Sequence, residues 1–166
     1  MTTFDKHKDN DQEETLQPRS EFASNYVREV TARYIGPRRK GFTISSPADV
    51  ASFMRQLLRD ETREHFLALY LNGAHHVLSF SLVSLGCATS APVSPVIVFQ
   101  NALLVGASAF VVGHNHISGN LEPSPEDIGV TKRLKEAGCL LTIPLLDHVL
   151  FSATDYVSFH DRGILA

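Results

Sequence analysis

Cysteine is scarce in this chain of 166 residues, which holds only Cys87 and Cys139. The two stand far apart and neither has a partner at metal-ligand spacing, which excludes a disulfide framework and a zinc knuckle. Both are expected as small buried hydrophobes. No apolar run approaches the ~20 residues that a bilayer-crossing helix requires. The N-terminus is polar and acidic, unlike a secretory signal, so a cytoplasmic protein is expected. A basic excess is missing too, since the formal net charge is -3. The cluster Arg38, Arg39 and Lys40 lacks interleaved aromatics and reads as a solvated turn, and direct nucleic-acid binding is not supported. No internal repeat or low-complexity segment is apparent.

What is present suffices for one packed domain. Hydrophobic residues make up 43% of the chain, enough for a single core and short of two. Residues 1–20 carry Asp5, Asp9, Asp11, Glu13 and Glu14 among lysines and read as a disordered acidic tail, which leaves 21–166 as the domain. Over 26–35, Val30, Ala32 and Tyr34 alternate with polar residues as in a half-buried strand ending at Gly36-Pro37. Ser46-Pro47-Ala48-Asp49 opens a helix whose stripe of Val50, Phe53, Met54, Leu57 and Leu58 is expected to face a sheet. Residues 65–71 and 76–84 read as strands joined by a tight turn at Asn72-Gly73. His75 and His76, adjacent and so pointing to opposite faces, are read as surface residues. A helix from about Pro95 to Gly106 presents Val98, Ala102 and Val105. A buried strand at 108–113 then leads to His114. A further helix is expected from Ser124 to about Ala137, stopping at Gly138, and 140–150 reads as one or two strands around Pro144. Helices and strands are mixed, which gives an α/β or α+β class with a mixed sheet.

The chemistry gathers at His114-Asn115-His116 and at Asp127, eleven residues past the second histidine. On a strand exit, residues two apart point to the same side, so both imidazoles face one point. Asp127 arrives in the first turn of the next helix, with Ser124 at its N-cap and Pro125 at its first position. Three protein ligands leave a fourth position on a metal for water, whose pKa the metal lowers to roughly 7. Ser124 and Asp127 also spell a capping box, and that structural reading stands beside the functional one. Two histidines and a carboxylate form the facial triad of non-haem iron enzymes as well; the spacing and the helix-borne aspartate argue against it.

The pattern His-x-His, seven residues, Ser, two residues, Asp resembles the JAMM (MPN-plus) zinc metalloprotease motif without gaps. The surrounding text is similar to the RadC family in Ser118-Gly119, Pro123-Ser124, Asp127, Thr131, Leu134, Leu145-Leu146-Asp147-His148, Tyr156, Ser158 and Arg162-Gly163. This resemblance runs from about Val27 to the C-terminus. It implies a JAB/MPN fold, related to the cytidine deaminase-like arrangement, and zinc held by His114, His116 and Asp127. It further implies Glu64 as general acid/base, with Glu61 the weaker candidate, and Ser124 as donor to the oxyanion. The implied reaction is hydrolysis of a peptide or isopeptide bond in a protein or peptide substrate. By spacing alone Glu64 would be a solvated carboxylate at a helix-to-strand junction. The family is traditionally associated with DNA repair, so a non-enzymatic interaction role is the alternative. Members often carry an N-terminal helix-hairpin-helix module that the first twenty residues here do not supply, so the chain resembles a catalytic-domain-only version. Two departures are evident. Ile117 stands where members usually have proline, which leaves the ligands in place. Pro95-Val96-Ile97 stands where many have Pro-Arg-Glu, which removes two charges near the expected cleft. Asp147-His148 reads either as a pair orienting a ligand from behind or as a packed core pair.

Overall fold

The computed structural model of the chain describes residues 41–58, 62–86 and 93–165. The expected acidic tail, the strand at 26–35, the basic turn at 38–40, Glu61 and Cys87 lie outside the described residues.

Helix α1 (Pro47–Leu57) starts where its sequence dictates. The Ser46 hydroxyl accepts the Asp49 amide at 3.3 Å, while the Asp49 carboxylate accepts the Ser45 amide at 2.9 Å and the Ser46 hydroxyl at 3.0 Å. These bonds satisfy N–H groups that a helix start leaves without partners. Strand β1 (His65–Leu71) and strand β2 (Val77–Leu85) follow as an antiparallel pair. Helix α2 (Pro95–Leu104), strand β3 (Ala109–Asn115), helix α3 (Pro125–Leu141), strand β4 (Leu145–Phe151) and strand β5 (Tyr156–Ser158) complete the described elements.

The strands form one mixed sheet in the order β2-β1-β3-β4-β5. Only β3 and β4 run parallel, and α3 makes the crossover such a pair requires. Period-two alternation divides the sheet between two cores. Leu67, Leu69, Leu71, Val111, Val149 and Phe151 pack under α1 through Val50, Phe53 and Met54. Phe66, Ala68, Tyr70, Phe110, Val112 and Leu150 pack on the other face against Val98, Phe99 and Ala102 of α2 and Val130 and Leu134 of α3. With both faces covered, β1 and β3 are buried along their whole length, which explains why they read as apolar runs rather than alternating ones. This α+β arrangement, a mixed five-stranded sheet flanked by three helices among the described residues, is the one expected from the sequence. No helix among the described residues is long and apolar enough to cross a membrane.

Three local expectations are corrected. Helix α3 runs through Gly138 to Leu141, and Thr142 takes the left-handed cap position at φ 55°. Gly138 is glycine for closeness, because a Cβ there would lie 2.6 Å from the Ile143 carbonyl oxygen. The β1–β2 turn is not a two-residue Asn-Gly turn. Asn72 Oδ1 accepts the amides of Ala74 and His76, each at 3.0 Å, and the left-handed position falls on His75 at φ 58°. The asparagine side chain thus builds the turn that glycine was expected to build. Cys139 is exposed on α3 rather than buried.

Candidate metal centre

Strand β3 delivers the first ligand and its exit the second. His114 is on the last turn of pleat and His116 lies just beyond, so both rings project to the face covered by α2 and α3. Their Nε2 atoms approach to 2.9 Å. The capped start of α3 brings Asp127 to meet them, with Oδ1 at 3.0 Å from His114 Nε2 and Oδ2 at 3.8 Å from His116 Nε2. One ligand atom from each of the three lies within 4.8 Å of the others, the one such group among the described residues. His114 and Asp127 are buried and His116 is half-buried. His116 also borders a cavity of about 340 Å³ on the α1 side, lined by Arg55, Leu58, Asn115, Ile117, Phe151 and the 152–155 turn; His114 and Asp127 do not line it. Arg55 of α1 fixes that turn by donating to the carbonyls of Ser152 and Asp155, each at 2.7 Å.

Two Ser-Pro-x-Asp helix starts in one chain separate capping from chemistry. At Asp49 the carboxylate only caps. At Asp127 the same cap occupies Oδ2, which accepts the Ser124 amide at 2.8 Å and the Ser124 hydroxyl at 2.7 Å, while Oδ1 is turned to His114. Burial pushes the Asp127 carboxyl up. The hydrogen bond and charge of His114, with the two bonds from Ser124, outweigh burial and hold it well below the usual carboxylate range. An ionised carboxylate facing two imidazoles is a donor set that fits a divalent cation such as zinc. His116 is oriented for this, since its Nδ1 faces the Asn120 carbonyl oxygen. A carbonyl only accepts, so Nδ1 carries a hydrogen and Nε2 is the atom turned to the site.

The Ser124 hydroxyl occupies the cap in this geometry. Ser124→Ala is expected to cost about 1 kcal/mol of stability, read by chemical denaturation of metal-free protein. Ser46→Ala should cost a similar amount. Only the Ser124 change should also weaken zinc uptake, because only that cap holds a ligand; equal zinc affinity in both variants would contradict this.

Glu64 precedes β1 on the strand beside the ligands. Phe66 pairs with His114 across the antiparallel ladder, and continuing that register places Glu64 opposite His116. Phe66 lies on the site's face, its ring stacked at 5.7 Å from that of His114. Glu64 itself is half-buried. His75 and His76 remain apart in their exposed turn.

The Asp147-His148 pair divides its work. His148 is fully buried and reaches the site, its Nε2 3.0 Å from His114 Nδ1. Burial holds its pKa well below the usual histidine value. Asp147 does not reach the site; it accepts the Ser158 hydroxyl at 2.6 Å and the His160 amide at 3.0 Å, tying β4 to the chain after it. Burial pushes its carboxyl up against those bonds.

Sequence reasoning alone did not assign two further contacts. Asn115, between the histidines, points to the opposite face, where its Oδ1 accepts the His65 amide at 2.7 Å and its Nδ2 donates to the Arg63 carbonyl at 2.9 Å. Thr131 donates to the Asp127 carbonyl at 2.6 Å and lies 2.6 Å from His148 Nδ1. Its place four residues after Asp127, on the same helix face, was the available signal. Of the departures, Ile117 is exposed at the cavity, while Val96 and Ile97 are exposed on the first turn of α2.

Comparison with known proteins shows the family. The RadC-like JAB domain family matches residues 44–164. A UPF0758 protein of Shouchella clausii is 42% identical over 123 residues, covering 74% of this chain and 54% of the relative. One from Methanosarcina mazei is 40% identical over 129 residues, covering 78% and 55%. One from Chlorobium chlorochromatii is 38% identical over 122 residues, covering 74% and 55%. The chain spans about half the length of these curated relatives. On the family match and these identities together, the chain belongs to the RadC-like JAB domain family.

Proposed function

We propose that the chain is a zinc-dependent hydrolase of peptide or isopeptide bonds acting on a protein or peptide. The observation that carries this reading is the convergence of His114, His116 and Asp127, two of them buried and His116 half-buried. Bound by these three, zinc would supply the Lewis acidity that activates water and polarises a carbonyl. The rest is work for the chain's own groups. Glu64 takes the proton of the attacking water at its carboxylate and returns it to the leaving amine, as a general base and then acid. Ser124, by turning its hydroxyl from Asp127 toward the substrate, donates to the developing oxyanion. An exposed Cys139 thiol fits a reducing, cytoplasmic setting.

Protein purified anaerobically is expected to carry about one zinc per chain, and His116→Ala to lose it, as measured by elemental analysis. Wild type is expected to cleave members of a fluorogenic peptide library or a lysine-linked isopeptide. Chelation should stop cleavage and added zinc restore it. Stoichiometric iron with little zinc would sink the hydrolase reading, because the same donor set suits ferrous iron.

A further inference from the structure

We infer that Thr131 and His148 form a hydrogen-bond relay that holds the His114 ring with Nδ1 as donor to His148, so that Nε2 is the atom presented to the metal centre. This rests on the zinc reading above, and makes Thr131 a positioning residue.

The direction of the relay is forced from one end. Thr131 Oγ1 lies 2.6 Å from the Asp127 carbonyl oxygen. A carbonyl has no hydrogen to give, so the hydroxyl donates its single proton there. The same Oγ1 lies 2.6 Å from His148 Nδ1, and with its proton committed it can only accept. His148 Nδ1 therefore carries a hydrogen. The His148 ring is fully buried, with the rings of Phe159 at 4.4 Å and Phe66 at 5.4 Å. Neither of its nitrogens bonds a carboxylate; their partners are the Thr131 hydroxyl and the His114 ring. A second proton would leave an unpaired buried charge, which is costly. The ring is neutral and its Nε2 is an acceptor. His114 Nδ1, 3.0 Å away, must then be the donor, which leaves Nε2 as the nitrogen that faces Asp127 and a metal.

The relay also explains why the site suits a cation. His116 is set the same way by Asn120, so the Nε2 atoms of the two rings meet at 2.9 Å beside Asp127 Oδ1. These are the three atoms a cation would draw together, displacing any proton they share. Thr131 joins two of the ligands, since it grips the backbone of Asp127 and, through His148, the ring of His114.

The test is histidine-labelled protein examined by two-bond proton–nitrogen correlation NMR, with and without zinc. The expected result is a proton on Nδ1 and a bare Nε2 on His148, with Nδ1 of His114 protonated. Thr131→Val, which keeps the shape and loses the hydroxyl, is expected to mix the His148 tautomers and weaken zinc binding about 10–100-fold. Affinity is read by competition with a chromogenic chelator. Thr131→Ser should restore both. A wild-type His148 protonated on Nε2 would overturn the relay, as would a Thr131→Val protein with unchanged tautomer and affinity. Should the valine variant not fold, the wild-type spectrum decides alone. A wild type that shows the expected tautomers but takes up no zinc sinks the zinc reading and upholds the relay.

Discussion

Glu64→Gln is expected to lower the hydrolytic rate about 10²–10⁴-fold, the range typical of a lost general acid/base, while leaving about one zinc per chain. Glutamine keeps the size of the side chain and cannot take up a proton. The ligands come from β3, its exit and α3, so the substitution is expected to remove proton transfer without touching metal uptake. The measurement is kcat on the isopeptide or library substrate, paired with elemental analysis of the same sample. A rate near wild type would remove Glu64 from the reaction. A loss of zinc would instead make it a ligand.

The second large effect is structural and lies one residue before a ligand. Gly113→Ala would place a Cβ 2.5 Å from Met54 Sδ and 2.7 Å from the Val149 carbonyl oxygen. The methionine end can swing away. The carbonyl cannot, because it belongs to the parallel partner strand, where Gly113 pairs with Val149. Overpacking of this kind costs typically about 1–3 kcal/mol, and in a chain of this size each kcal/mol shifts Tm by roughly 2–4 °C. Thermal unfolding of Gly113→Ala should show that fall. Adding Met54→Ala should not restore it, since the contact with Val149 remains. Full recovery in the double variant would show that the sulfur, and not the sheet spacing, demands glycine.

Both helix starts carrying Ser-Pro-x-Asp were legible because capping is local, set by side chains reaching amides three residues away. The convergence of His114 and His116 was legible for a similar reason, as alternation along one strand. Gly138 was misread because the same residue type serves two needs, a left-handed cap and a close approach, and only the path of the chain near Ile143 shows which applies. The Asn72 turn was misread because its side chain replaces a backbone conformation. Least legible was the link between His114 and His148, which are 34 residues apart and joined only by the parallel pairing of β3 with β4. No sequence period announces such a contact. Thr131, four residues past Asp127, was the one member of that network within local reach.

Asn115 bears on how reproducibly the site closes. Strand ends fray, and the end of β1 is where Glu64 enters. The Asn115 amide accepts from His65 and donates to Arg63, the two neighbours of Glu64. Asparagine has both capacities on one short side chain; ionised aspartate can only accept. The middle letter of His-x-His is therefore more than a spacer. It ties the segment bearing Glu64 to the strand bearing His114 at the last rung of the sheet, where fraying would otherwise part them.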